Sequence, residues 1–334
     1  MAVMPDPAVV AGLAAEIRAW CGSQCSFAVE PARLSGGFSS ELFEFVLQDP
    51  PDRMEGPLVL RLQPGGDAVR EQVIHATAAS DGYPTPRPIL WGEADSHFRR
   101  PYTIMRKLDG GPAIRLDGIG ALKALREAPT LVAGAMARLH DLDPQPALAE
   151  LEARGIGIAE LGVRGIIDEI ERADVDDPAS RALDLLRRTA PDASTSVLVH
   201  GDLHPLNLWR LPDATVSVLD WEMATIGPPE LDVARSSLMF SLVPGDISRV
   251  GRPLVMRLGR RTERSFRERY RLQRPIDDQS LPWYRALHAL RLTTAVLTRP
   301  ADDSVTTQWR PVARHLANEV EMVTGVRLPA PPST

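Results

Sequence analysis

The residues best suited to chemistry stand in two short stretches, Val199-His-Gly-Asp-Leu-His-Pro-Leu-Asn-Leu208 and Val218-Leu-Asp-Trp-Glu222. Each carries acid groups at the end of an apolar run, and a carboxylate buried there is costly unless a cation or a transferable proton meets it. Asp202 and Asn207 lie five residues apart on one loop, and Asp220 returns beside them on a hairpin arm. A carboxylate and a carboxamide oxygen are hard ligands that suit Mg2+ held jointly with phosphates. The remaining carboxylate is then free to receive a proton. The same stretch also reads as His200, Asp202 and His204 in an HxDxH pattern completed by Asp220, a ligand set of zinc or manganese hydrolases. The other histidines, His75, His97, His140, His288 and His315, are scattered, and a hydrolase site gives Asn207 no task.

These groups need strands that end in one place. Short strands are predicted at 196–200, 206–210 and 215–220, with Pro212 and Asp213 turning the chain between the last two. Around them the period is helical: 130–140 carries Leu131, Ala135 and Leu139 on one face, 156–188 supplies two helices, and others are predicted at about 246–272, 281–298 and 309–324. The first third reads differently. A helical opening presents Val9, Leu13, Ile17 and Trp20, then Leu34-Ser-Gly-Gly-Phe-Ser-Ser40 forms a glycine turn feeding the alternating strand Glu41–Leu47. Prolines at 50, 51 and 57 break regular structure before Leu58–Leu62, a second strand antiparallel to the first. Asp67 caps a helix running to about Ala79, and strand material returns at Pro101–Lys107 before Asp109-Gly-Gly111. The expected class is α+β: a small antiparallel-sheet lobe over 1–108, a larger helical lobe over 109–328, and a frayed proline-rich tail over 329–334.

Composition narrows the function classes. A chain of 334 residues, 44% hydrophobic and 25% charged, is globular and long enough for two lobes at ~150 residues per domain. Net charge of −6 offers no general attraction for phosphate backbones or anionic lipid, so neither nucleic acid nor membrane is an expected partner. The start, MAVMPDPAVV, lacks the basic residues and long apolar stretch of an export signal, and no run approaches the ~20 apolar residues of a membrane span. A cytoplasmic address is expected. Cys21 and Cys25 are too few for a disulfide framework or a zinc site. Lys107 and Lys123 are the only lysines beside 36 arginines, and neither completes GxxxxGK[ST], which excludes a Walker-type NTPase. GxGxxG, HExxH and GxSxG are also missing.

The constellation resembles the catalytic core of the aminoglycoside phosphotransferase and choline kinase-like family, a branch of the bilobal protein-kinase-like fold. His200-Gly-Asp202-Leu-His-Pro-Leu-Asn207 resembles its catalytic loop, Asp220-Trp-Glu222 its metal-binding segment, and Gly227-Pro-Pro-Glu-Leu-Asp232-Val-Ala234 the segment that follows. The resemblance implies ATP or GTP as donor, Mg2+ as cofactor and a small-molecule hydroxyl as acceptor. Asp202 would accept or orient the hydroxyl proton, and Asn207 and Asp220 would hold the metal on the phosphates. Ser35, Gly36, Gly37, Phe38, Ser39 and Ser40 would cover the phosphates, and Met105, Arg106, Lys107 and Leu108 would form the adenine-contacting hinge. The family's usual lysine is replaced by Arg61, with Glu71 placed to pair with it. Arginine keeps the charge and forks onto two oxygens, but cannot imitate an ammonium point charge. A nucleotide-binding protein without turnover is therefore the alternative. His200 and Asp232 are expected to order the loop, His204 and Glu222 to stand near metal or substrate, and His140 to cap a helix C-terminus. Ten arginines from Arg249 to Arg274 read as a solvated helix face behind the apolar stripe Val250, Leu254 and Leu258. Lining the acceptor cleft instead, they would repel polycations.

Overall fold

The computed structural model describes residues 6–22, 26–34, 40–64, 68–93, 96–115, 118–173, 177–192, 195–242, 252–300 and 302–329. Helix α1 (Pro7–Cys21) precedes strands β1 (Ser26–Arg33), β2 (Glu41–Gln48) and β3 (Pro57–Leu62), then α2 (Val69–Ser80), β4 (Pro88–Gly92) and β5 (Tyr102–Arg106). These five strands form one antiparallel sheet in the order β1-β2-β3-β5-β4. Side chains alternate across a strand, so Leu58, Leu60 and Leu62 of β3 share one face with Phe43 and Phe45 of β2. All five are buried against Leu13 and Ile17 of α1. Each fully buried side chain contributes about 1.5–3 kcal/mol. The same alternation turns Arg61 to the opposite face, where α2 lies.

The rest is larger and mainly helical, which makes the fold α+β and bilobal. Strand β6 (Gly111–Pro112) is followed by α3 (Gly118–His140), α4 (Gln145–Ala153), α5 (Gly162–Arg172) and α6 (Ala179–Arg188). Strands β7 (Val197–Val199), β8 (Leu208–Arg210), β9 (Val216–Val218) and β10 (Thr225–Gly227) lead to α7 (Glu230–Ser241), α8 (Arg252–Arg271), α9 (Leu281–Thr298), α10 (Ser304–Trp309) and α11 (Ala313–Thr324). Strand β8 pairs with β6 and β9, and β7 pairs with β10. Among the described residues no helix is long and apolar enough to cross a membrane.

Several expectations need correction. Helix α3 begins at Gly118, not at Thr130, and runs through Pro129, a residue that ordinarily starts or ends a helix. The predicted helix over 309–324 breaks at a 3-10 turn, Arg310–Val312, that contains Pro311. Trp20 is exposed rather than on the packed face of α1. On α8 the buried stripe is Thr262, Phe266 and Tyr270, whereas Leu254 is exposed. Arg257, Arg260, Arg261 and Arg264 face solvent, and Arg249 and Val250 lie outside the described residues, as does Asp67.

Helices α7, α8, α9 and α11 meet around Arg285, whose guanidinium bonds Glu319 (3.0 and 2.7 Å), Glu263 (2.9 Å) and Ser241 (3.2 Å). Burial alone would raise Glu319, but hydrogen bonds from His315 and Arg285 together with their charge hold it at about 2. A depressed folded pKa stabilises above the unfolded value and is lost as pH falls through the folded one. Stability should therefore drop between about pH 4.5 and 2, by ~3 kcal/mol from this group. Urea unfolding at pH 7 and pH 3 should show a smaller difference for Glu319→Gln than for the parent. Equal differences would remove Glu319 from the acid transition.

Candidate active site

Arg61 is where the two halves of the fold meet. Its Nε donates to Ser40 Oγ at 3.1 Å, and one terminal nitrogen pairs with Glu71 on α2. The other reaches Asp220 Oδ1 at 3.1 Å and Glu222 Oε2 at 3.4 Å. Gln63 Nε2 donates to the second Glu71 oxygen. Burial works against the Arg61 charge, but the carboxylates of Glu71, Asp220 and Glu222 more than offset it and keep the guanidinium protonated. One cation among three carboxylates leaves a surplus of negative charge on the Asp220 side.

The contact across the halves is held by a polar hinge. Val218 N donates to Pro84 O at 2.8 Å, Thr85 Oγ1 donates to Val218 O at 2.8 Å, and Trp221 Nε1 donates to Thr85 Oγ1 at 2.9 Å. Trp221 stacks on His75 at 5.1 Å and packs at a tilt against His200 at 4.9 Å. Burial, reinforced by the Arg61 charge, lowers His75 to about 3, so its ring packs neutral.

The loop after β7 is fixed by its backbone. Asp202 N donates to His200 Nδ1 at 3.3 Å, which leaves Nε2 to donate to Leu219 O at 3.0 Å. Burial lowers the His200 pKa despite three nearby aspartates, so this neutral tautomer persists. Both ring nitrogens are then used. That removes His200 from a hydrolase-type ligand set, and among the described residues no three His, Cys, Asp or Glu side chains converge as a metal cluster. The HxDxH reading is corrected on that ground.

Gly201 has φ of +80°, and a Cβ there would lie 2.2 Å from Met223 O. Only glycine meets both demands. Gly201→Ala should cost about 2 kcal/mol or more, read as a lowered Tm, and a Tm unchanged from the parent would contradict this geometry.

Asp232, fully buried at the start of α7, accepts His200 N at 2.8 Å and Gly201 N at 2.7 Å. Burial would raise its carboxyl, but bonds and charge from His140 and His200 pull it below the ordinary aspartate value. His140 does end α3, but its cap role is corrected here: it is buried, with Nε2 3.1 Å from Asp232 and Nδ1 2.7 Å from Tyr270 Oη.

Asp202 carries a partner that sequence reasoning missed. Arg235 on α7 donates to Oδ1 from Nε at 3.0 Å and from a terminal nitrogen at 2.8 Å. His204 Nε2 stands 3.4 Å from Oδ2, and its Nδ1 accepts Leu206 N at 3.2 Å. Burial alone would raise the Asp202 carboxyl, yet the Arg235 charge and the His204 bond drive it far below the carboxylate range. The available signal was a lone arginine inside the buried run Leu231–Leu238, one helical turn after Asp232.

Asn207 ends a 3-10 turn, Pro205–Asn207, with Nδ2 donating to Asp202 O at 2.9 Å and its own carbonyl accepting Leu219 N at 2.9 Å. Its Oδ1 is left as a hard acceptor one residue across from Asp220. Asp220 itself adopts φ of +66°, a left-handed turn that swings its carboxylate out of the β9 line toward Arg61. An amide oxygen and a partly exposed carboxylate beside surplus negative charge fit Mg2+, which takes few protein ligands and keeps waters and phosphates.

The remaining candidates stand elsewhere. Ser35, Gly36, Gly37, Phe38 and Ser39 lie outside the described residues. Met105 pairs in β5 with Val59 and Pro88. Arg106 donates to Asp52 O at 3.0 Å, Lys107 pairs with Glu44 at 2.7 Å, and its backbone N–H donates to Pro57 O. Leu108 is half-buried where the chain leaves the sheet.

Known proteins share parts of this chain. Acyl-CoA dehydrogenase family member 11 of Pongo abelii is 30% identical over 195 residues, which is 54% of this chain and 25% of that protein. Viomycin phosphotransferase of Streptomyces vinaceus is 30% identical over 173 residues, 49% of this chain and 60% of that protein. The chain thus spans a quarter of one relative's length and three-fifths of the other's. Among solved structures, aminoglycoside phosphotransferase APH(4)-Ia has a TM-score of 0.59 at 21% identity, covering 95% of this chain and 98% of that one, a likeness of fold. Residues 31–268, well over half of the chain, match the Phosphotransferase enzyme family, and the protein belongs to that family.

Proposed function

We propose that the protein transfers the γ-phosphoryl group of ATP, or of GTP, to a hydroxyl of a small molecule in the presence of Mg2+. The observation that carries this reading is Arg61 joined at once to Glu71, ten residues away, and to Asp220, 159 residues away, beside a loop presenting Asp202 and Asn207. A related structure supports it: a thermostable mutant of APH(4)-Ia was solved with AMP-PNP and hygromycin B, at a TM-score of 0.56 and 21% identity. Residues 1–108 would form the nucleotide lobe and 109–328 the catalytic and acceptor lobe. The address we assign is cytoplasmic.

In this mechanism Arg61 would draw on the donor phosphates, Ser35–Ser40 would cover them, and Met105–Leu108 would meet the base. Asn207 and Asp220 would hold magnesium, which supplies charge neutralisation on the phosphate oxygens. The acceptor hydroxyl meets Asp202 Oδ2. As its oxygen bonds to the γ-phosphorus, the bridging oxygen–phosphorus bond breaks and the nucleoside diphosphate leaves. The carboxylate's strongly favoured anion makes it a poor store for the proton, so the expected base role narrows to orienting the hydroxyl and passing its proton on to the transferred phosphoryl group or to water. Loose phosphoryl transfer needs little more.

Arg61 resting directly on Asp220 favours a second reading, in which nucleotide binds without turnover. Both are tested by a thermal shift with ATP, GTP and magnesium, then a hydroxyl-compound library scored by ADP release. Stabilisation of several degrees that requires nucleotide and metal together, followed by acceptor-dependent ADP, is expected. No shift with any nucleotide defeats both readings, and a shift without any ADP leaves the second.

A further inference from the structure

We propose that Arg235 is the positioning residue that fixes the Asp202 carboxylate and leaves only Oδ2 to meet the acceptor hydroxyl. The inference rests on the phosphotransfer reading and assigns that site a residue outside its expected motifs. Helix α7 grips the loop at three points. Asp232 takes the backbone N–H groups of His200 and Gly201, Arg235 takes the Asp202 carboxylate, and Ser236 Oγ donates to Leu203 O. Asp232 and Arg235 stand one turn apart and face the same way, as i and i+3 on a helix do.

The two Arg235 bonds converge on one oxygen, Oδ1, at 3.0 and 2.8 Å. A single bond would let Oδ1 shift about one donor, whereas two donors from a rigid planar group pin that oxygen. With Cβ held by the loop backbone, this sets the rotation about Cβ–Cγ and so the place of Oδ2. The guanidinium is itself fixed: Arg235 is 4% exposed and its carbon stands 5.3 Å from the centre of the Trp309 ring. Oδ2 is thus aimed beside His204 Nε2, 3.4 Å away, while Asn207 holds the Asp202 carbonyl on the other side. Every other polar atom of Asp202 is engaged, with its N–H on His200. Oδ2, shared only with His204 Nε2, remains to direct an incoming hydroxyl.

The test uses the full chain with Mg2+ and ATP, water serving as the phosphoryl acceptor so that no acceptor need be identified. Arg235→Met should lower the kcat of ATP hydrolysis about 10- to 100-fold with KM for ATP within about twofold, since a misplacement near 1 Å costs that much. Arg235→Lys should recover part of the loss. In Arg235→Ala, guanidinium at tens of millimolar should raise kcat where urea does not. A fold defect would lower kcat in proportion to folded protein and respond to neither. Unchanged kcat in Arg235→Met, or equal losses of kcat and nucleotide affinity, overturns the proposal. So does a crystal structure of Arg235→Met with the Asp202 carboxylate in its present place, whatever the parent turns over. A parent chain that binds no nucleotide with metal defeats the phosphotransfer reading instead, and the crystallographic test of Arg235 stands apart from that result.

Discussion

Asp202→Asn should lower turnover by about 10²–10⁴ while the dissociation constant for magnesium-ATP stays within about threefold. The asymmetry of the site explains why. Arg235 donates twice to Oδ1, so an asparagine there turns its amide oxygen to the guanidinium and its NH2 to the former Oδ2 position. The group facing the acceptor then donates where the carboxylate accepted, and a hydroxyl in that place points its lone pair, not its proton, at residue 202. Nucleotide contacts are untouched, because Arg61, Asp220 and Asn207 keep their partners. Single-turnover phosphoryl transfer and calorimetric titration of magnesium-ATP separate the two effects. Matched losses in both would mean that the loop had moved. A variant as active as the parent would take Asp202 out of the chemistry altogether, and a parent as inert as the variant would favour the binding-only reading.

Why the loop was legible in the sequence and its clamp was not follows from the range of the forces involved. The run from His200 to Asn207 specifies its own geometry: Gly201 must be glycine for φ and for space, and His200, Asp202 and Asn207 bond within seven residues of one another or to the adjoining hairpin. Strand β3 was equally plain, since Leu58, Leu60 and Leu62 alternate with Val59 and Arg61. Strand β1, at the sheet edge beside β2, was not, because five of its eight residues are exposed and Pro31 interrupts it, which an edge strand tolerates and a pattern search does not. Arg235 bonds a residue 33 positions away, and His140 finds Asp232 at a separation of 92. Nothing local marks such partners. A buried histidine reads as a cap, and a buried arginine goes unmarked, until the packing of α3 and α7 brings their targets into reach.

Arg61→Met should cost about 3–5 kcal/mol of stability at neutral pH, because removing one member of a buried ion pair leaves its partner uncompensated. Glu71 is the group exposed to that loss, with its side chain 6% accessible and the Asp220 and Glu222 carboxylates beyond it. Burial already pushes the Glu71 carboxyl upward, the Arg61 charge is the main influence opposing that, and Asp220 and Glu222 push the same way as burial. In the variant a raised folded pKa gives stability that is present below the unfolded value and lost as pH rises through the folded one. Arg61→Met should therefore be more stable near pH 5 than near pH 8. Adding Glu71→Gln should recover stability at neutral pH without recovering nucleotide affinity, which should fall about 10- to 100-fold in either case as the phosphates lose one charge-assisted contact. Arg61→Lys keeps the charge but not the fork, so it can hold Glu71 or reach toward Asp220, not both. Its stability should lie between those of the parent and Arg61→Met. Full magnesium-ATP affinity in the Arg61→Met, Glu71→Gln pair would confine Arg61 to joining the halves of the fold, and the donor phosphates would then need another cation.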